Sequence, residues 1–225
     1  MAASETDLQP EFWQERWRTA QIGFHQSAVD RHLQAYWPTL KLAANSPVFV
    51  PLCGKSLDVL WLREQGHAVS GVELSPVALE AFCMEHGIPA RRRSLGDFEV
   101  YEAEGFRLLC GDFFTLTPEL LGAVSAVYDR ASLISWTPAL RASYVEHMTA
   151  LTRPGTQTLL IAVEYPQAQM SGPPFPVTGD DIHRLYADHH SIEVLGRHEI
   201  LHREPRLKAR GLTELSEVCY RLTRL

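Results

Sequence analysis

The stretch PVFVPLCGKS, residues 47–56, decides the fold, because a short apolar run passes directly into a turn and the start of a helix. The run 48–50 predicts a strand that is buried on both faces, as in a parallel sheet. Gly54 lies in the turn that ends this strand, and Ser56 is placed to cap a helix. The segment therefore predicts the first strand-to-helix connection of an α/β sheet.

The next apolar run, 67–73, ends in an acidic residue, Glu73, which follows Gly54 by nineteen residues. In nucleotide-binding sheets a carboxylate about 20 residues after the first turn holds the ribose. Strand, tight turn, helix, strand and terminal acid together predict a nucleoside site at this edge of the sheet.

Two common phosphate-binding motifs are excluded at this turn. A Walker A loop needs a glycine five residues before the glycine of its Gly-Lys pair, and that position holds Phe49. A dinucleotide fingerprint needs three glycines, and Gly54 is alone. The turn therefore predicts a nucleoside that carries a polar tail smaller than a pyrophosphate.

Composition limits the class of protein further. At 225 residues, with 45% hydrophobic and 21% charged residues, the chain predicts one globular domain, 1–225. A net charge of −6 argues against a general nucleic-acid binder, and the basic triplet 91–93 is interpreted as a solvated loop. We find no leader-like or membrane-length apolar segment and expect a cytoplasmic protein.

The four cysteines show neither CxxC pairing nor a zinc-like spacing to histidine, so we predict no metal site. Cys110 and Cys219 lie in apolar runs and are interpreted as buried free thiols. Cys53 lies in the turn, and two interpretations of it have equal weight: a reactive thiol, or a residue chosen only for its small size.

Aromatic residues precede the first strand. Trp13 and Trp17 share one face of a predicted helix, 11–19, and a loop with Phe24 and His25 follows. The residues alone favour an anchor for this helix, and the alternative is an aromatic lid over a ligand. For His25 a surface or capping position is the simpler interpretation and catalysis the alternative.

Charged residues follow two later strands. Asp112 comes after the run 106–110, either as a cap or as an acceptor for a base amino group. Asp129 and Arg130 follow the run 123–128, at the edge where α/β sheets bind ligands, with a structural ion pair as the alternative. Further predicted elements are helices over 30–44, 76–83, 138–151 and 180–187, a strand pair 98–101 and 106–110, and strands over 158–164, 192–200 and 214–222.

At this point several motifs together resemble the thiopurine S-methyltransferase family. The PLCGK turn in place of a glycine-rich one is the most specific of them. The resemblance covers nearly the whole chain. It is strongest to the bacterial members of the family. The motifs are FWQERW (12–17), IGFHQ (22–26), VPLCGKSLD (50–58), GVELS (71–75), YDRASL (128–133) and GPPF (172–175).

The resemblance implies a Rossmann-like class I methyltransferase, α/β, with a mostly parallel central sheet, helices on both faces and an N-terminal helical lid over 1–44. It implies S-adenosyl-L-methionine as cofactor, S-adenosyl-L-homocysteine as product, and a small-molecule thiol such as a thiopurine as acceptor. Selenium and tellurium species are further candidate acceptors. We expect a monomer that binds neither nucleic acid nor membrane.

The resemblance also assigns site residues position by position. On the acceptor side it implies Phe24 and Arg130. We assign no acid or base, and Asp129 and His25 are weak candidates. The cofactor contacts that it implies are Trp13, Trp17, Leu52, Gly54, Glu73, Asp112 and Arg130.

Two other functions use the same features. An NAD-dependent oxidoreductase shares the fold and the acid, although the turn with Gly54 alone argues against it. The other alternative is a non-catalytic module that keeps the nucleoside pocket but catalyses no reaction.

Overall fold

The computed structural model describes residues 10–225, so positions 1–9 of the predicted lid lie outside the described part of the chain. The chain forms two compact units, which in the described part are residues 10–128 and Asp129–Leu225. Within residues 10–225 every helix is too short or too polar to span a bilayer.

Local capping signals set most helix boundaries. Ser56 caps α3 as predicted, because its hydroxyl accepts the N–H of Asp58 at 3.1 Å. The helix predicted over 30–44 ends early, at Tyr36, since Pro38 lacks an N–H and opens a 3₁₀ turn. The helices are α1 Pro10–Arg18, α2 Arg31–Tyr36, α3 Leu57–Glu64, α4 Pro76–Glu85, α5 Pro118–Leu121, α6 Pro138–Leu151, α7 Gly179–Tyr186 and α8 Pro205–Ala209.

Buried apolar runs form most of the strands. In the first unit their order is β3-β4-β5-β2-β1-β6, with β5, β2, β1 and β6 parallel and β3 and β4 antiparallel. The last two residues of β6, 129–130, already belong to the second unit. In the second unit β9 pairs antiparallel with both β7 and β8. The strands are β1 Pro47–Val50, β2 Ala68–Glu73, β3 Arg91–Leu95, β4 Phe98–Ala103, β5 Phe106–Cys110, β6 Ala126–Arg130, β7 Gln157–Glu164, β8 His190–Glu199 and β9 Ser216–Arg224.

The prediction of a solvated loop at the basic triplet is wrong. Arg92 and Arg93 lie in β3, an edge strand whose side chains pair with acids. Arg93 donates to Glu102 across the ladder at 2.7 Å, and Arg92 donates to Glu80 at 2.8 Å. Charged side chains suit an edge strand, because they discourage pairing with another chain.

A buried aspartate joins three distant segments of the first unit. Asp58 is 1% exposed, and its Oδ1 accepts the N–H of Asp30 at 2.7 Å. Its Oδ2 accepts the hydroxyl of Tyr128 at 3.0 Å. Asp30 in turn caps α2 through the N–H groups of His32 and Leu33. Asp58 therefore ties the end of the Phe24 loop to the helix that follows the turn.

We expect Asp58→Ala to lower the free energy of unfolding by about 3 kcal/mol, because it leaves two buried donors without their acceptor. Urea denaturation of the full chain measures this loss. Asp97→Ala is the control, since Asp97 is an exposed turn residue and its loss should cost less than about 0.5 kcal/mol. Equal stability of the two variants would contradict a role for Asp58 in holding the segments together.

Candidate active site

The turn between β1 and α3 has an unusual backbone. Leu52 has φ of +47° and Gly54 has φ of +53°, so both adopt the left-handed conformation. For leucine this conformation is uncommon, and such strain is enriched at ligand sites. Between them the N–H of Cys53 donates to the carbonyl of Val72 at 2.9 Å, which attaches the turn to β2.

The acid that ends β2 lies against this turn, as the spacing in sequence predicted. Glu73 is 6% exposed, and its Oε2 accepts the N–H of Gly54 at 2.9 Å. Its Oε1 accepts the N–H of Ser75 at 2.8 Å. Burial raises the pKa of the Glu73 carboxyl to about 7, against the opposing effect of these backbone hydrogen bonds.

Trp17 of α1 covers the turn. A Cβ placed on Gly54 would lie 2.9 Å from Cζ2 of Trp17 and 4.0 Å from Oε2 of Glu73, so only glycine admits the indole this closely. Phe24 contacts Trp17 edge-to-face with ring centroids 5.4 Å apart, and it contacts Trp13 at 5.9 Å. Trp13, Trp17 and Phe24 therefore form one cluster, and Trp17 brings it against Gly54.

Cys53 serves packing in this turn. A Cβ on Gly71 would lie 2.7 Å from Sγ of Cys53, so the thiol fills space that only a glycine leaves open. Burial, with a contribution from the charge of Glu73, raises the pKa of the Cys53 thiol well above its usual range. A protonated, buried thiol is a poor nucleophile, which favours the small-residue interpretation.

The other predicted site residues of the first unit lie near these elements in the chain. Asp112 is exposed and follows β5, whose Cys110 is the ladder partner of Glu73. Its Oδ1 accepts the N–H of Phe114 at 2.9 Å, which is the capping role considered for it. His25 is half-buried, and its N–H closes a turn onto the carbonyl of Ile22.

Asp129 and Arg130 belong to the second unit. Both were expected to follow the strand, but they lie within β6. The strand in the structure therefore begins and ends later in the chain than the predicted run 123–128. Asp129 is buried, and its carboxylate accepts the N–H of Leu133 at 3.1 Å and the hydroxyl of Tyr144 at 2.8 Å. Burial raises the pKa of Asp129 to about 6. Arg130 is half-buried at the end of the strand.

Sequence reasoning missed two residues that shape this site. Ser75 supplies the N–H that holds Oε1 of Glu73, and Asp58 anchors the helix after the turn. Both lie within motifs that were noticed, GVELS and VPLCGKSLD. The signal in the sequence was their position, because Ser75 lies two residues after Glu73 and Asp58 lies two residues after Ser56.

The arrangement fits a nucleoside. The N–H groups of Gly54 and Ser75 each occupy one oxygen of Glu73, and a carboxylate offers about four acceptor positions, so acceptor capacity remains for hydroxyl groups. The indole of Trp17, which lies against Gly54, presents an aromatic surface of the kind that a base or a cation contacts. The residues present therefore fit an adenosyl group that ends in a sulfonium.

Solved structures with the same fold define the class. An S-adenosylmethionine-dependent methyltransferase from Anabaena variabilis matches with a TM-score of 0.65 and 14% identity, over 100% of this chain and 98% of its own. The 1,6-didemethyltoxoflavin-N1-methyltransferase of Burkholderia thailandensis, solved with S-adenosylhomocysteine, matches with a TM-score of 0.61 and 16% identity, over 97% of this chain and 88% of its own. The fold is that of class I S-adenosylmethionine-dependent methyltransferases, as predicted.

Sequence comparison assigns the family. The family described as Thiopurine S-methyltransferase (TPMT) matches residues 8–225. Relatives named Thiopurine S-methyltransferase are 46% identical in Nitrosospira multiformis, over 96% of this chain and 98% of the relative, and 45% identical in Methylococcus capsulatus, over 95% and 96%. The chain belongs to the thiopurine S-methyltransferase family. It is an enzyme that uses S-adenosylmethionine, which confirms this prediction over an oxidoreductase or a non-catalytic module.

Proposed function

We propose that the enzyme transfers the methyl group of S-adenosylmethionine to the sulfur of aromatic or heterocyclic thiols such as thiopurines. The observation that carries the proposal is the 46% identity, over 96% of the chain, to a relative named Thiopurine S-methyltransferase. Selenium and tellurium species are further candidate acceptors.

On the cofactor side, we assign Glu73 to the two ribose hydroxyls, because its carboxylate keeps free acceptor positions beside the turn. The backbone of Leu52 and Gly54 faces the amino-acid tail, whose carboxylate is favoured near the N-terminus of α3. Trp17 lies over the bound group, and Trp13 and Asp112 complete its surroundings. When bound, S-adenosylmethionine supplies an electrophilic methyl group on a sulfonium.

On the acceptor side, we assign Phe24 to ring contact and Arg130 to the charge of the thiolate. A guanidinium stays charged at working pH and presents two parallel donors, so Arg130 holds a thiolate or a ring nitrogen in place. A thiolate loses its charge as the methyl group transfers, and aromatic cover that excludes water therefore favours the reaction. Heteroaromatic thiols are acidic, and we assign no general base; Asp129 and His25 stay as weak candidates.

A methyl-transfer screen tests the function. Radiolabelled S-adenosylmethionine is offered with 6-mercaptopurine, thiophenol, selenite and tellurite, and the products are identified by mass spectrometry. We expect labelled methyl on sulfur of the two thiols. The matched control is 6-hydroxypurine, which has oxygen in place of sulfur and should stay unlabelled. Transfer to the oxygen compound at the rate seen with the thiol would contradict an S-methyltransferase.

The raised pKa of Glu73 predicts a pH dependence of cofactor binding. The carboxyl is mostly protonated below its pKa of about 7, and only the ionised form accepts both hydroxyls fully. S-adenosylhomocysteine affinity, measured by calorimetry, should rise about tenfold from pH 6 to pH 8, because ionisation rises about tenfold over that range. The same group contributes stability that is present below about pH 4 and lost as pH rises through 7.

Glu73→Gln is the control for this dependence. Glutamine keeps the shape but cannot ionise, so the affinity should be flat between pH 6 and pH 8. At pH 8 it should lie roughly tenfold below the wild-type value, since a charge-assisted hydrogen bond is worth about 1.5–3 kcal/mol. An unchanged pH dependence in this variant would assign the titration to another group.

We further propose a monomeric, cytoplasmic enzyme that forms one functional domain, 1–225, with a lid over 1–44. The net charge of −6 supports action on small molecules without nucleic acid. The contact of Trp17 with Gly54 supports closure of α1 over the cofactor turn.

A further inference from the structure

A buried arginine in the second unit has no hydrogen-bond partner. Arg141 of α6 is 3% exposed, and its Nε and Nη2 are buried without an acceptor. Burial lowers the pKa of this guanidinium, but arginine stays charged in proteins. An uncompensated buried charge is strongly unfavourable, so a group of opposite charge is expected beside it.

The acid that acts on Arg141 at longer range does not supply this charge. Asp181 is already an acceptor for the N–H and hydroxyl of Thr178, at 3.0 and 2.9 Å, in the capping box of α7. It also forms an ion pair with Arg184, whose positive charge acts against that of Arg141. None of the ion pairs among residues 10–225 includes Arg141.

The start of α6 adds a second buried polar group without a partner. Thr137 is its N-cap, yet the hydroxyl makes no capping bond, and Oγ1 is buried without a partner. Arg141 follows Thr137 by four residues, so both lie on one face of a fourteen-residue helix. Helical side chains lean toward the N-terminus, which directs the guanidinium to the first turn, where the helix dipole is positive.

We propose that the guanidinium of Arg141 and the hydroxyl of Thr137, at the start of α6, bind one small oxyanion of the size of a carboxylate. The near-complete burial of Arg141 limits the group to this size. Two sources share this chemistry, a free anion from solution and a carboxylate substituent on the thiol acceptor. The second source depends on the proposed function, and the first does not.

Thermal unfolding of the full chain tests the free anion. Sodium formate is the probe, exchanged for the bulky sodium gluconate at constant ionic strength. We expect a saturable rise in Tm of about 3 °C or more when formate exceeds its Kd tenfold. Arg141→Met should abolish the rise and Arg141→Lys should keep part of it. Arg153→Met is the matched control, since Arg153 is an exposed arginine of the same unit, and it should keep the rise fully. If the Met variant does not fold, the wild-type titration and the Lys variant decide.

Acceptor kinetics test the second source. The ratio of kcat/KM for 2-mercaptobenzoate to that for thiophenol should fall at least about tenfold in Arg141→Met, because thiophenol lacks the carboxylate. A response in either arm that Arg141→Met removes supports the proposal and identifies the source. A wild-type Tm insensitive to formate together with an unchanged ratio overturns it. If no thiol is methylated at all, the proposed function fails, and the formate titration still decides the anion site.

Discussion

Replacing Gly54 with alanine is expected to weaken S-adenosylhomocysteine binding about thirtyfold. The added Cβ would lie 2.9 Å from the indole of Trp17, closer than Cβ atoms approach other groups, so the indole must move off the turn. Residue 54 also has φ of +53°, which alanine adopts only with strain. We assign about 2 kcal/mol of lost binding free energy to the displaced indole, and 1.4 kcal/mol is a factor of ten in affinity. The backbone strain lowers stability instead. Calorimetry on the folded variant measures the change.

Gly66→Ala separates strain from collision. Gly66 has φ of +88°, and a Cβ there would meet no atom within 4 Å. This variant should lose stability through the same backbone strain, by about 1 kcal/mol, and keep its affinity for S-adenosylhomocysteine. If both variants lose the same stability and both bind normally, Trp17 does not close on the cofactor turn.

The second large effect is expected at Arg130. Arg130→Ala should lower kcat/KM for an aromatic thiol about a hundredfold or more, with a smaller loss of S-adenosylhomocysteine affinity. The reason is that Arg130 is assigned to the acceptor as well as to the cofactor. Arg130→Lys keeps the charge but not the planar pair of donors, so its kcat/KM should lie between the values of the wild type and of Arg130→Ala. Initial rates and calorimetry on the same three proteins measure both quantities.

Arg153→Ala is the matched control, since Arg153 is an exposed arginine of the same unit. It should leave rate, affinity and Tm unchanged. If Arg130 has only a structural role, its alanine variant should melt at a lower temperature while the folded fraction keeps full turnover. A stable Arg130→Ala variant with wild-type kcat/KM would remove Arg130 from the site.

The elements that sequence predicted well depend on near neighbours. The strand Pro47–Val50, the cap at Ser56 and the helix Pro138–Leu151 all follow from apolar runs and turn residues a few positions away. The placement of Glu73 against Gly54 followed from spacing, because a parallel βαβ unit returns the chain to the same edge of the sheet.

One error came from pairing at a distance, and the other came from a local signal that was not weighed. The basic residues of Arg91–Leu95 suggested a loop, and pairing with Phe98–Ala103 makes them an edge strand. The hydrophobic period through residue 44 suggested a long helix, although Pro38 carried a local signal to end it.

The sequence by itself determined the α/β class, the turn at Gly54, the acid at Glu73 and, through its motifs, the methyltransferase family. Only the tertiary structure decided which groups surround those residues. It put the indole of Trp17 on Gly54, joined Asp58 to Asp30 and to Tyr128 across 28 and 70 positions, and left Arg141 buried without an acceptor. The physical reason is that burial, hydrogen bonding and pKa depend on neighbours in space, and the folded chain draws these neighbours from distant parts of the sequence.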